Sequence, residues 1–206
     1  MEDGEIQFYD ANARKEVYRR HLPHWNQAGR IYFVTFRLAD SIPASRAAEL
    51  RRERQSWRET HPEPLTGAQW HEYHVLFSAR IEQWLDQCSG ACLLADPSCS
   101  ETVINAMESF DGQRYSLDQW VVMPNHGHVL VTPKEGFALA DILQAWKSVT
   151  AHAINRHVGR RGQLWQGESF DHVVRSPAHL ERFRKYIRDN PAKAGRLREF
   201  CRLRSS

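Results

Sequence analysis

Two β-type segments lie almost back to back in the middle of the chain. Tyr115–Met123 and His126–Thr132 are rich in β-branched and aromatic residues, and only Pro124 and Asn125 separate them. Such a short connection of turn-forming residues joins antiparallel neighbours, because parallel strands need a much longer crossover. These segments therefore predict a β-hairpin, and the fold must contain an antiparallel sheet.

Helices and further strands are predicted on both sides of this hairpin from apolar spacing and helix-breaking residues. The other predicted elements are a strand at Ile31–Leu38, helices from Ala44 to about Glu59, Thr66 to Gln87, Asp96 to about Phe110 and Leu139 to Val158, a strand at Phe170–Arg175, and a helix from Ser176 to Asn190 that Pro191 ends. This order predicts an α+β fold: a ferredoxin-like antiparallel sheet with helices on one face. Residues 1–206 are expected to form a single domain, with a helical insertion at about 44–98.

The composition indicates a packed globular protein. The chain has 206 residues, of which 41% are hydrophobic, and seven of them are Trp. It contains no apolar run of the ~18–20 residues that a membrane span requires, and its acidic start at Met1–Asp10 is unlike a signal peptide. We therefore expect a cytoplasmic protein with no membrane partner.

The cysteines fit a reducing compartment. Cys88, Cys92, Cys99 and Cys201 are expected to be free thiols. The first three lie close enough along the chain to suggest a zinc cluster. No fourth ligand follows at the usual spacing, which favours ordinary buried thiols.

Arginine dominates the positive charge: 23 of the 28 basic residues are Arg. Clusters occur at Arg19–Arg20, Arg51–Arg54, Arg160–Arg161 and Arg182–Arg204. Guanidinium groups engage phosphate oxygens in pairs, so the clusters are suited to a nucleic-acid backbone. Solvated helix faces are the alternative explanation.

A His-x-His motif begins the second strand of the hairpin. Side chains at i and i+2 of a strand project from the same face, so His126 and His128 point together. Gly127 lies between them and leaves the opposite face open to a close approach by a helix or a nucleic acid. Two imidazoles in this arrangement form half of a divalent-metal site, although packed or exposed histidines are the simpler interpretation.

The last predicted helix carries Tyr186 and Asn190 one turn apart. Tyr186 lies at the margin of the apolar stripe formed by Leu180, Phe183 and Ile187, where a packing role is common. The basic neighbours Arg184, Lys185, Arg188 and Lys193 favour a further role, because they are expected to hold phosphates and to lower the cost of forming a phenolate.

Together these motifs resemble the single-tyrosine transposases of the HUH endonuclease superfamily, and most of all the REP-associated tyrosine transposases. The resemblance runs in order from about Arg19 to Leu197. It rests on His21-Leu-Pro-His-Trp25 before the first strand, His126-x-His128, Leu164-Trp-Gln before a strand, and Tyr186-Ile-x-x-Asn190-Pro-x-Lys193-x-Gly195.

The resemblance implies a site and a reaction. His126 and His128 would ligate Mg²⁺ or Mn²⁺, with Asn190 as the third protein ligand. Tyr186 would attack the scissile phosphate of single-stranded or hairpin DNA, forming a 5′-phosphotyrosine bond and freeing a 3′-OH. The activity is then that of a metal-dependent DNA endonuclease and strand transferase.

Several other side chains are candidates for contact with DNA, because they are basic or aromatic and lie near the motifs. They are Arg19, Arg20, Trp25, Lys147, Trp165, Arg184, Lys185, Arg188 and Lys193. Two other functions remain open: a non-catalytic DNA-binding protein derived from a transposase, and an α+β protein whose histidines bind structural zinc. The sequence leaves open the DNA sequence or hairpin recognised, a mobile-element or domesticated role, a monomer or homodimer, and whether the tyrosine acts in cis or in trans.

Overall fold

The observed elements follow the predicted order. The computed structural model describes residues 7–9, 16–19, 23–26 and 29–204, with the backbone alone at 16–19, 23–26, 71 and 196. Its strands are β1 (Glu16–Arg19), β2 (Pro23–Asn26), β3 (Tyr32–Arg37), β4 (Tyr115–Val122), β5 (His126–Pro133), β6 (Phe170–Val173) and β7 (Arg202–Arg204). Its helices are α1 (Ala44–Thr60), α2 (Gly67–Tyr73), α3 (Ala79–Asp86), α4 (Pro97–Glu108), α5 (Leu139–His157) and α6 (Pro177–Lys193). A π-helical turn, His74–Ser78, joins α2 to α3.

Five strands form an antiparallel sheet in the order β6-β3-β5-β4-β7, and β1 pairs with β2 in a separate two-stranded sheet. The predicted hairpin is β4–β5. The unit β3-α4-β4-β5-α5-β6, with its strands in the order β6-β3-β5-β4, is the ferredoxin-like arrangement. The predicted antiparallel α+β fold is confirmed.

Successive side chains along each strand point to opposite faces of the sheet, and each face is covered by an apolar layer. Val34, Phe36 and Val129 face one side, where α4 and α5 cover them, as the prediction of helices on one face requires. Phe33 and Leu130 face the other side, where Leu180 and Ile187 of the additional helix α6 pack on them. His126 and His128 share the α6 side of the sheet with Leu130, because residues two apart on a strand face the same way.

Helix α6 continues beyond the predicted end. Asn190 is followed by Pro191, yet the helix extends to Lys193, and Pro191 lies inside its last turn. Proline removes one N–H donor, and near a helix end this loss affects only the final carbonyl groups. The prediction that Pro191 ends the helix is therefore wrong, and the extra residues bring Lys193 onto the same face as Tyr186.

The helices between β3 and α4 form a layer with its own core. Leu50 and Trp57 of α1 pack with Tyr73 and Phe77 from the following helices. The predicted helices of the segment 44–98 are therefore present, and the role of this segment as an insertion in a single domain stays a prediction.

Across the helices of the described residues, none has both the length and the apolar character needed to cross a membrane.

Candidate active site

The two histidines of the motif lie side by side on β5. Their side chains are 0% and 1% exposed for His126 and His128, and their Nε2 atoms are 3.1 Å apart. Two nitrogen ligands with bonds of about 2.1 Å, meeting roughly at a right angle, have this separation. The pair therefore fits one shared cation.

The remaining ring nitrogens are held by neighbouring side chains. His126 Nδ1 lies 2.7 Å from Oδ1 of Asn125, which only accepts, so Nδ1 donates and Nε2 presents a lone pair. His128 Nδ1 lies 2.8 Å from Oγ1 of Thr35, its register partner on β3. Asn125 is anchored in turn, because its Nδ2 donates to the Ser89 carbonyl at 3.0 Å. Partners of this kind orient imidazoles that bind metals.

Both imidazoles are neutral at physiological pH. Burial and the nearby charge of Lys193 lower the pKa of His126 to about 3. Burial, His126 and Lys193 hold the pKa of His128 well below its usual value. A neutral imidazole is the form that binds a metal, so no proton must be removed first.

The ring of Tyr186 lies against the histidine pair within the same chain. Its centroid is 5.1 Å from that of His128 and 5.7 Å from that of Phe33, both in edge-on contact. Its hydroxyl is buried and has no hydrogen-bond partner among residues 29–204 or the other described residues. A buried hydroxyl without a partner is costly, which indicates a functional reason for its position.

Asn190 follows Tyr186 by one helical turn and is 0% exposed. Within the part of the chain that the structure describes, neither its Oδ1 nor its Nδ2 has a hydrogen-bond partner. An amide oxygen is a ligand that Mg²⁺ and Mn²⁺ accept. The carboxamide therefore has a free ligand atom on the helix face that carries Tyr186.

The electrostatics of Tyr186 differ from the expectation of a cationic surrounding. Burial, Glu82 and Asp86 raise the pKa of Tyr186 well above its ordinary value, and the amide of Asn190 opposes this shift. Of the expected cations, Lys193 lies over the ring, with Nζ 4.0 Å from the centroid. The protein alone therefore does not favour the phenolate.

Two of the other expected cations are already paired. Arg184 Nε contacts Asp118 Oδ2 at 2.7 Å, and Lys185 Nζ contacts Asp189 Oδ2 at 2.6 Å. The expected roles of these two residues beside Tyr186 and in DNA binding stay predictions.

Gly127 leaves room for a ring of the protein itself. A Cβ at this position would lie 2.6 Å from Cζ of Phe36, which packs edge-on against Trp165. The close approach expected on this face is made by Phe36, on the side of the sheet away from the histidines.

Residues 96–190 match the model of the family described as Transposase IS200 like. This segment is similar to the IS200-like transposases. It begins at the N-cap of α4 and ends at Asn190, so it contains the histidine pair, Tyr186 and Asn190.

One solved structure similar to the chain is described as the REP-associated tyrosine transposase bound to a REP hairpin. The identity is 18%, the match covers 87% of this chain and 74% of that chain, and the TM-score is 0.42. No curated protein sequence matches the chain.

Several candidate DNA contacts in and around the IS200-like segment have structural roles. Trp165 is buried, and its Nε1 donates to Thr150 Oγ1 at 2.8 Å, so its ring has no open face for a base. Lys147 Nζ donates to the carbonyls of Gln166 and Gly167 at 2.9 and 3.2 Å and holds that loop. Both side chains are thus used inside the protein, and their expected contact with DNA stays a prediction.

Of the remaining candidates, Arg188 is exposed on α6 and remains accessible to a ligand. Arg20 lies outside the described residues, and so do the side chains of Arg19 and Trp25.

The four cysteines are free thiols, as expected. Among the described residues, a second group with the geometry for a metal consists of Asp96, Cys99 and His157, with ligand atoms within 4.8 Å of one another. Asp96 also caps α4 by accepting from Ser98 N. This group does not include Cys88 or Cys92, in keeping with the expectation that these two residues are ordinary thiols rather than part of a zinc cluster.

Thr35, Asn125, Glu82 and Asp86 were not identified from the sequence as part of the site. Asn125 directly precedes His126, and the sequence indicates only a turn there. Glu82 and Asp86 have the i, i+4 spacing that puts both on one face of α3. That spacing was the available signal, although nothing local connected it to Tyr186.

Proposed function

We propose that the protein is a metal-dependent single-strand DNA endonuclease and strand transferase, acting on hairpin-associated DNA through a 5′-phosphotyrosine intermediate. In this proposal Tyr186 is the nucleophile, and His126, His128 and Asn190 hold the metal. The family match of the segment 96–190 supports a role in DNA processing. The roles of the individual residues rest on their geometry.

One observation carries the proposal. Beyond the interaction of the Asn190 amide with the phenol, Tyr186 and Asn190 bury three polar atoms that have no hydrogen-bond partner among the described residues. The ring of Tyr186 also packs edge-on against His128 of the buried pair His126–His128. Each unpaired group costs about 1–3 kcal/mol, and these three atoms differ from the other unpaired buried atoms of the described residues because they lie one helical turn apart beside the histidine pair. A cation and a phosphate in this place would use them.

The donor set fits Mg²⁺ or Mn²⁺. Two neutral imidazoles and one carboxamide bring no negative charge, so the site remains attractive to a phosphate. A divalent cation bound there would polarise the scissile phosphate and align it for in-line attack. Asn125 and Thr35 fix the orientation of the two imidazoles.

The phenol of Tyr186 supplies the covalent step. Its oxygen forms a bond to phosphorus as the bond from phosphorus to the 3′ oxygen breaks, the phenol proton is lost, and the 3′ oxygen takes up a proton. Because the phosphodiester energy is kept in the phosphotyrosine bond, rejoining requires no nucleotide hydrolysis. Tyr186 and His128 are in contact within one chain, so we infer that the tyrosine acts in cis.

The test is a covalent-adduct assay with a labelled hairpin oligonucleotide carrying single-stranded flanks, incubated with the protein and Mn²⁺. The wild type is expected to form an adduct that survives denaturing electrophoresis, and chelation is expected to abolish it. Tyr186→Phe is expected to bind the DNA without forming the adduct. Tyr9→Phe is the control, because this tyrosine is distant in sequence from both motifs and should leave adduct formation unchanged.

Two outcomes oppose the proposal. Adduct formation by Tyr186→Phe would show that another residue is the nucleophile. Tight hairpin binding by the wild type with no adduct under any metal condition would favour the non-catalytic DNA-binding alternative.

A further inference from the structure

A cavity of about 950 Å³ lies between α1, the start of α3 and the edge of the sheet at β3 and β6. Its size is at the upper end of the usual range for small-molecule sites, about 300–1,000 Å³. We call it the Arg pocket, after the lining residues Arg37, Arg51, Arg54 and Arg58. The helices of the segment 44–98 form its outer wall, so the pocket exists only because that segment is present.

Two arginines in the wall are largely buried. Burial and the charge of Arg54 lower the pKa of Arg37 to about 10, and burial lowers the pKa of Arg54 in the same direction. Arg37 Nη1 donates to Ser41 Oγ at 3.1 Å and to the Leu38 carbonyl at 3.4 Å. Arg54 Nε has no hydrogen-bond partner among the described residues, and the nearby carboxylate of Glu168 opposes the effect of burial on the pKa of Arg54. The rings of Tyr73 and Phe77 support Arg54 at 5.6 and 5.7 Å. A paired guanidinium site of this kind suits a phosphate group.

The rest of the wall is suited to a nucleobase rather than to an anion alone. Glu168, Gln166 and Gln55 offer acceptor oxygens that can receive the amino and imino protons of a base. Leu50 and Phe170 provide apolar surface for the face of a base. A site for inorganic phosphate would need neither the acceptors nor the apolar surface.

Strand β3 lines the pocket and also pairs with β5, the strand that carries the two histidines. Thr35 lines the pocket and also contacts His128 Nδ1 at 2.8 Å. Arg37, two residues further, is the register partner of His126. Glu82 lines the pocket on the other side and is one of the carboxylates that act on Tyr186. A DNA strand at Tyr186 is therefore close enough to place a neighbouring nucleotide in the pocket.

Building on the proposed function, we propose that the Arg pocket binds an unpaired nucleotide of the single-stranded DNA substrate. Its phosphate contacts Arg37 and Arg54, and its base lies against Leu50 and Phe170 with its edge toward the acceptors. The helical segment 44–98 thereby contributes to substrate binding.

The test compares two adjacent arginines of α1. Arg51 lines the pocket and Arg52 does not, and both side chains are exposed, so Arg51→Gln and Arg52→Gln make the same charge change with little effect on folding. The probe is a fluorescein-labelled pool of random single-stranded oligonucleotides, whose binding is followed by anisotropy with EDTA to prevent cleavage. Arg51→Gln is expected to weaken binding about fivefold and to reduce the salt slope by about one, whereas Arg52→Gln should bind like the wild type. Arg54→Gln is expected to weaken binding more, provided that thermal melting shows it folded.

A competition experiment separates a nucleotide from a simple anion. Mixed dinucleotides are expected to displace the pool from the wild type at much lower concentration than inorganic phosphate does, and Arg51→Gln should reduce that difference. Equal displacement by phosphate, or equal affinities of Arg51→Gln and Arg52→Gln, would overturn the pocket proposal. If the wild type forms the Tyr186 adduct in that case, the proposed function stands. If binding depends on Arg51 and no adduct forms, the proposed function fails and the pocket remains a DNA site. A wild type that does not bind the pool overturns both.

Discussion

The ammonium group of Lys193 lies over the ring of Tyr186, with Nζ 4.0 Å from the ring centroid. The two residues are seven apart on α6, about two helical turns, and therefore share a face. The same ammonium group is 3.5 Å from Oδ2 of Asp86. One cation thus links α6 to α3 at the point where the phenol would ionise.

We expect Lys193→Gln to slow adduct formation at pH 7 by about tenfold or more. The ammonium group stabilises the negative charge that develops on the phenol oxygen, and a contribution of about 1–2 kcal/mol corresponds to this change in rate. In a plot of rate against pH, the rise in the rate is also expected to shift to higher pH than in the wild type, because the phenolate is less stabilised. The measurement is single-turnover adduct formation against pH at saturating DNA.

Arg182→Gln is the matched control, since Arg182 is an exposed cation of the same helix. It should leave the rate and its pH profile unchanged at saturating DNA. A Lys193→Gln protein with the wild-type profile would exclude an electrostatic role for Lys193.

We expect Thr35→Val to weaken Mn²⁺ binding by about 10–100-fold, because the hydroxyl that orients His128 is lost while the size of the side chain is kept. Isothermal titration with Mn²⁺ on the purified protein measures this effect without DNA. Thr132→Val, on β5 beyond the histidines, is the control and should bind Mn²⁺ like the wild type. Equal affinities for Thr35→Val and the control would mean that Thr35 does not support the site.

Most of the fold was predictable because its signals are local. Asp96 and Ser176 each precede a proline at a helix start, and both cap their helices as predicted, by accepting from Ser98 N and His179 N. The turn at Pro124 similarly defines the hairpin. Pro191 misled the prediction, because a proline in the last helical turn removes few hydrogen bonds and the helix passes through it.

The residues that surround the candidate site could not be predicted from the sequence, and the reason is physical. Thr35 meets His128 only through the pairing of β3 with β5, 93 residues apart, and register is not readable from a single sequence. Glu82 and Asp86 act on Tyr186 only because α3 packs beside α6. The spacings of His126 with His128 and of Tyr186 with Asn190 place each pair on one face of a strand or a helix, and the resemblance to a known family then implied their roles.

We expect Gly127→Ala to lower the free energy of unfolding by about 1–3 kcal/mol. The added Cβ would meet the Phe36 ring at 2.6 Å, and an aromatic ring packed against Trp165 has little space to move away. Urea denaturation followed by tryptophan fluorescence measures this loss. Gly167→Ala is the control, because nothing lies within 4 Å of its added Cβ, and its effect should be much smaller. Equal stability of the two variants would contradict the packing argument.

We expect Glu82→Gln to stabilise the protein, and to do so more at pH 8 than at pH 5. Burial raises the pKa of Glu82 to about 7 against a partial compensation by Lys193, so the folded state binds a proton more tightly than the unfolded chain, whose carboxyl has a pKa near 4.5. The penalty for ionising this carboxyl therefore grows as the pH rises from about 4.5 through 7, and is fully present at pH 8. Removing the charge should raise the free energy of unfolding by about 1–2 kcal/mol at pH 8 and change it little at pH 5. Glu49→Gln, at an exposed position of α1, is the control and should show no such pH dependence in urea denaturation. A gain for Glu82→Gln that is the same at both pH values would mean that its carboxylate is not disfavoured by the fold.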